Sequence, residues 1–109
     1  MLILLDESVP RALAALLFGY TVRTVQQMAW SSISNGELLR RAAAAGFDVL
    51  VTADRNLEYQ QNIARTGLGL VVLVARSNRV GDILPLAPRI VEALASLQLG
   101  QIVHISVER

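Results

Sequence analysis

Asp48-Val49-Leu50-Val51-Thr52-Ala53-Asp54 is the stretch on which the fold turns. Its aliphatic run has no polar alternation, so it reads as a strand buried on both faces, the kind found in parallel sheets covered by helices. Upstream, Ser34-Asn35-Gly36-Glu37 has capping-box spacing, ahead of a helix through Ala45 that closes at Gly46. Downstream, a polar helix from Asn56 to Arg65 leads to Gly67 and an apolar strand from Leu70 to Val74. Leu2-Ile3-Leu4-Leu5, cut off by Asp6, repeats the central pattern. Ser8 is placed to cap a helix from Val9 to Phe18, with Pro10 in its first turn and Gly19 at its end. Tyr20 to Val25 reads as another strand, and Gln26 to Ile33 has no period. Asp82 to Gln98 reads as mostly helix with a clean start at Pro88, and Ile102 to Val107 alternates as a last strand. Strands alternating with helices predict one α/β domain over residues 1–109 with a mainly parallel central sheet.

Composition narrows the chemistry. Hydrophobic residues make up 53% of the 109 and charged residues 17%, which excludes intrinsic disorder. No cysteine is present, so disulfides, thiolate zinc sites and cysteine nucleophiles drop out. All ten basic residues are arginine, and against nine acids they leave a net charge of +1, with no global basic field. The missing lysine removes Schiff-base chemistry and the phosphate-loop motif. No apolar run approaches the roughly 20 residues of a spanning helix, and Met1 to Leu5 is too short for a signal peptide, so a cytoplasmic protein with no membrane partner is expected.

In a parallel sheet the functional crevice lies outside the carboxyl ends of the strands. That rule selects Asp6-Glu7-Ser8, Thr52-Ala53-Asp54 and Ala75-Arg76-Ser77-Asn78. Asp6 and Asp54 can point into one crevice, with Glu37 a third carboxylate at the same end. Like charges that close repel unless a proton or cation lies between them, and oxygen ligands suit Mg²⁺ or Mn²⁺. Each acid also has a plainer reading: Asp6 as the start of a turn, Asp54 as a helix cap, and Glu37 as the second half of the Ser34 capping box. Arg40 and Arg41 read as a solvated helix face or as phosphate contacts at the crevice rim, with Arg55 a further phosphate contact. His104, the only histidine, reads as a surface residue on the last strand. Two acids after the first strand and an Asp after the third also resemble a phosphoacceptor receiver domain, but the lysine that would hold the phosphoryl oxygens is missing.

Leu4-Leu5-Asp6-Glu7-Ser8-Val9-Pro10, Asn35-Gly36-Glu37-Leu38-Leu39 and Val51-Thr52-Ala53-Asp54-Arg55-Asn56-Leu57 occur in the order seen in PIN-like proteins. The chain resembles the short family of predicted PIN-domain nucleases found in bacterial toxin–antitoxin operons, most strongly over residues 1–60. The resemblance implies a three-layer fold and a metal-dependent endoribonuclease, the toxin of such a pair. It implies Asp6, Glu37 and Asp54 as catalytic and metal-holding residues, Mg²⁺ or Mn²⁺ as cofactor, and RNA as substrate. Thr52 would be a hydroxyl neighbour, with Glu7, Asn35 and Asn56 as supporting residues. A small antitoxin is the implied partner, and a homodimer stays open. The family commonly has an acid where this chain has Asn35, and Asp-Phe where it has Asn56-Leu57. Both asparagines keep an oxygen and lose a charge. The alternative is therefore a weak or inactive module that binds an antitoxin or RNA. Glu58 and Asp82 are the nearest candidates for a fourth acid.

Overall fold

A computed structural model describes residues 1–107. Five strands, β1 (Leu2–Leu5), β2 (Thr21–Thr24), β3 (Val49–Thr52), β4 (Gly69–Val74) and β5 (Ile102–Ser106), form one sheet in the order β2-β1-β3-β4-β5. Every neighbouring pair is parallel. The order in which the chain adds strands reverses between β1 and β3, where Leu5 lies beside Val51. Asp48 secures the other end of that pair, its Oδ2 accepting the Leu2 N–H at 2.8 Å.

Side chains along a strand alternate between faces, and here each face has its own core. Ile3, Leu5, Val49, Val51, Val71, Leu73 and Ile105 point to one side. Leu4, Leu50, Leu70 and Val72 point to the other. The continuous aliphatic runs follow from this two-sided burial. The second face is covered by α1 (Asn35–Ala44), α2 (Leu57–Gln60) and α3 (Ile63–Thr66), through Leu38, Leu39, Ala42, Leu57 and Ile63. The first is covered by a 3₁₀ segment (Arg11–Leu16), α4 (Val80–Ile83) and α5 (Ala87–Leu94), through Leu13, Ile83, Ile90 and Leu94. The result is a three-layer α/β/α arrangement. Among the described residues no helix is long and apolar enough to cross a membrane.

One connection departs from the usual rule. The crossovers β2→β3, β3→β4 and β4→β5 all run the same way across the sheet. The first two use the face of α1–α3, whereas β4→β5 uses the opposite face. The β1→β2 crossover runs the other way on that opposite face, so it shares the hand of the first two. The β4→β5 crossover alone has the reverse hand, against a strong general preference for right-handed connections. It puts α4 and α5 beside the 3₁₀ segment rather than beside α3.

Three local expectations change. The helix expected from Val9 to Phe18 is a six-residue 3₁₀ segment whose N-cap is Pro10, with no side-chain cap bond. Ser8, expected to cap it, turns its hydroxyl to Asp6 instead. The helix expected from Asn56 to Arg65 splits where Gln61 becomes extended (φ −130°, ψ 148°), and Asn62 caps α3 by accepting from the Arg65 N–H. The stretch from Asp82 to Gln98 is divided too: a 3₁₀ turn at Leu84–Leu86 separates α4 from α5, because Pro85 lacks an N–H and crowds the preceding turn. The unperiodic Gln26–Ile33 segment is a set of turns in which Thr24 and Gln27 exchange hydrogen bonds and the Trp30 N–H reaches the Val25 carbonyl.

Leu50 is fully buried in the central strand, and Tyr59 is 80% exposed on α2. Leu50→Ala should lower unfolding free energy in urea by about 2–5 kcal/mol, and Tyr59→Ala by no more than about 0.5 kcal/mol. Equal losses at the two positions would contradict the two-faced core.

Candidate active site

Asp6 leaves β1 at its carboxyl end and is 7% exposed. Its backbone N–H donates to the Val51 carbonyl at 2.9 Å, extending the β1–β3 ladder by one residue, and its own carbonyl accepts from Val9 at 3.0 Å. The carboxylate therefore sits beside Thr52, which is fully buried. The Thr52 hydroxyl donates to Asp6 Oδ2 at 2.8 Å and accepts the Asp54 N–H at 3.0 Å. The Ser8 hydroxyl repeats the arrangement, donating to the same Oδ2 at 2.8 Å and accepting the Ala53 N–H at 3.1 Å. Each hydroxyl has one proton and turns it toward the carboxylate because a backbone amide already approaches its oxygen. Asp6 Oδ1 has no hydrogen bond among the described residues and is the oxygen that stays accessible at the crevice.

Asp54 is half-buried one residue beyond Ala53. Its Oδ1 accepts the Asn56 N–H at 3.0 Å, closing the turn into α2, and its Oδ2 accepts from Asn35 Nδ2 at 3.3 Å. The carboxylate thus shapes the turn and meets α1, while the link to Thr52 is made by the Asp54 backbone N–H. Asn35 also donates to Gln60 Oε1 at 3.3 Å, which ties the start of α1 to the end of α2.

Glu37 is placed differently. Its N–H donates to the Ser34 hydroxyl at 3.2 Å, so the cap forms. Its carboxylate does not complete a reciprocal box. Oε1 pairs with Arg40, and Oε2 pairs with Arg41 at 2.7 Å. Helical spacing accounts for this, since residues three and four apart share one face. Among the described residues, no three acidic or histidine side chains gather closely enough to hold a metal ion. Thr52 joins the Asp6 carboxylate to the Asp54 backbone N–H, and Asn35 reaches the Asp54 carboxylate from α1.

The remaining expected residues are committed elsewhere. Glu7 is exposed, and its Oε1 accepts the Ser32 N–H at 2.8 Å. Asn56 is exposed and contributes its backbone N–H. Arg55 donates to the Ala75 carbonyl at 2.8 Å. Glu58 pairs with His104 at 2.5 Å, and Asp82 accepts from the Ser77 hydroxyl at 2.6 Å. Ser8 lies within the Asp6-Glu7-Ser8 stretch that the strand-end rule selects, but a serine ahead of an apolar run reads as a helix cap, which hides its bond to Asp6. The one available signal is its position two residues past the strand-ending Asp6.

Thr52→Val keeps the shape and removes the hydroxyl, leaving the Asp54 N–H and Asp6 each one partner short. In urea denaturation it should cost about 1–3 kcal/mol, and Thr52→Ser should recover the hydrogen-bond part of that loss. A valine variant as stable as the parent would remove Thr52 from the network.

No family model, curated protein or solved structure matches this chain.

Proposed function

We propose that the crevice at the carboxyl ends of β1 and β3 is a phosphodiester-hydrolysing site of a PIN-like domain, with RNA as substrate and Mg²⁺ or Mn²⁺ as cofactor. The observation that carries this reading is Asp6: a buried carboxylate fixed by two hydroxyls on one oxygen, its other oxygen free of hydrogen bonds among the described residues. Two neutral hydroxyls compensate a largely buried charge only in part, and the oxygen they leave free is open to the crevice, where an ion can reach it. The donor set is all oxygen, as Mg²⁺ and Mn²⁺ require, and Mg²⁺ is commonly held by one or two carboxylates together with substrate phosphates. Asp6 and Asp54 fit that pattern, with Asn35 reaching Asp54 from α1 through its Nδ2. The resemblance of residues 1–60 to PIN-like toxins supplies RNA as the polymer and a small antitoxin as partner.

Bound there, the ion supplies an activated water and neutralises charge developing on the phosphate. The chain's own part is positional. Thr52 and Ser8 hold Asp6 Oδ2 and keep its other oxygen turned to the crevice. The turn closed by Asp54 and Asn56 sets the opposite wall. Asn35 holds Asp54 against α1.

A second reading has its own support. With Glu37 paired to two arginines and Asn35 and Asn56 uncharged, the site has fewer free carboxylates than an efficient nuclease would use. A module that binds RNA or an antitoxin without cutting fits that count. The sheet order also matches receiver domains. Against a receiver stand the reversed hand of β4→β5, the absent lysine, and Glu7, turned away to Ser32.

Thermal melting against Mn²⁺ and Mg²⁺ separates the readings. A native-state site raises the melting midpoint as metal passes its dissociation constant, the unfolding free energy growing by about 2.7 kcal/mol at a hundredfold excess. The shift should vanish in Asp6→Asn and persist in Glu37→Gln, with cleavage of single-stranded RNA following the same pattern. A parent protein that melts identically with and without either ion rejects the metal site. A shift without cleavage leaves the binding module.

A further inference from the structure

We infer that a second, arginine-lined cleft beside Asp6 binds a backbone phosphate of single-stranded RNA, next to the phosphate presented at Asp6. The inference rests on the reading of Asp6 as the phosphodiester site. The cleft, of about 540 Å³, lies between the loop after β1 and the loop after β4, and its lining includes Glu7, Ser8, Arg11, Gln26, Asn78 and Arg79. All of these follow the carboxyl end of a strand, so the cleft opens on the same edge of the sheet as Asp6. Ser8 belongs to both places: it lines the cleft, and its hydroxyl is bonded to Asp6.

The fold's unusual connection creates this cleft. Because β4→β5 crosses on the face of the 3₁₀ segment, the loop carrying Asn78 and Arg79 meets the loop carrying Ser8 and Arg11. With the common hand, α4 would lie on the face of α1, and these two loops would diverge.

Charge selects the ligand. The arginines expected from sequence to contact phosphate are already used: Arg40 and Arg41 on Glu37, and Arg55 on the Ala75 carbonyl. Arg11 and Arg79 are exposed, and neither guanidinium has an ion pair or hydrogen bond among the described residues. Glu7 is the one acid in the lining, and one of its oxygens accepts from Ser32, so the cleft has a net charge of +1. Two guanidinium forks flanked by the Asn78 and Gln26 amides suit a phosphate diester, which accepts paired hydrogen bonds. Single-stranded chain fits because the cleft is shallow and open, so it can meet one flexible backbone along the sheet edge without having to enclose a duplex.

The test is fluorescence anisotropy with a short labelled single-stranded RNA in EDTA, over a series of salt concentrations, with DNA of the same sequence and a glutamate-rich peptide of equal charge run alongside. Each of Arg11→Ala and Arg79→Ala should weaken RNA binding several-fold and flatten the logarithmic salt dependence by about 0.7. Arg65→Ala, at the amino end of the sheet, should bind like the parent. Equal losses on RNA and DNA support phosphate recognition, with sugar identity read elsewhere. Unchanged RNA affinity and salt slope in both variants overturn the inference, as does an effect confined to the peptide. Mn²⁺ melting of the same proteins separates the two claims. Arginine-dependent RNA binding without a metal shift removes the Asp6 reading alone, whereas a metal shift with arginine-independent binding removes the cleft alone.

Discussion

A buried carboxylate held by two hydroxyls organises this end of the molecule. Asp6 lies where the strand order switches sides, and both hydroxyls that reach it also accept backbone amides from the segment after β3. Thr52 and Ser8 thereby fix the exits of two strands relative to each other. The carboxylate needs those donors to be tolerated in an apolar setting. The hydroxyls in turn have their orientation set by the amides. Small networks of this kind hold a side chain in one geometry more firmly than packing alone, and a site that acts on a developing charge depends on such preorganisation.

The same edge of the sheet shows how topology distributes charge. Nearly neutral overall, the chain still gathers charge locally, because the reverse-handed β4→β5 crossover brings Arg79 to the same cleft as Arg11 and Ser8, the serine that bonds Asp6. On α1 the opposite happens: Glu37 and its two arginines neutralise one another on a single helix face. Among the described residues, acid and base thus lie together without pairing in the cleft and pair on the helix. A phosphate-binding edge would require that division.

Much of the architecture was legible because aliphatic runs are a strong signal. Leu2–Leu5, Val49–Thr52 and Gly69–Val74 lie close to where the runs of leucine and valine put them, and α1 runs from its Ser34 cap to Gly46, whose φ of +87° suits glycine. Asp6, Thr52 and Asp54 could be brought to one edge by the strand-end rule alone. The errors came from side chains choosing among partners. Ser8 could cap a helix or bond Asp6, and the nearer carboxylate took it. Glu37 could complete a capping box or meet arginines one turn away, and the arginines took it. The hand of β4→β5 leaves no local trace in sequence, so the approach of Arg79 to Arg11 could not be read there.

Anomalous diffraction from crystals grown with Mn²⁺ tests the central claim most directly. The account predicts a manganese peak at coordination distance from Asp6 Oδ1, with Asp54 on the same ion and Glu37 still paired to Arg40 and Arg41. A map with no peak at Asp6, or one whose ion is held by other acids, would contradict it.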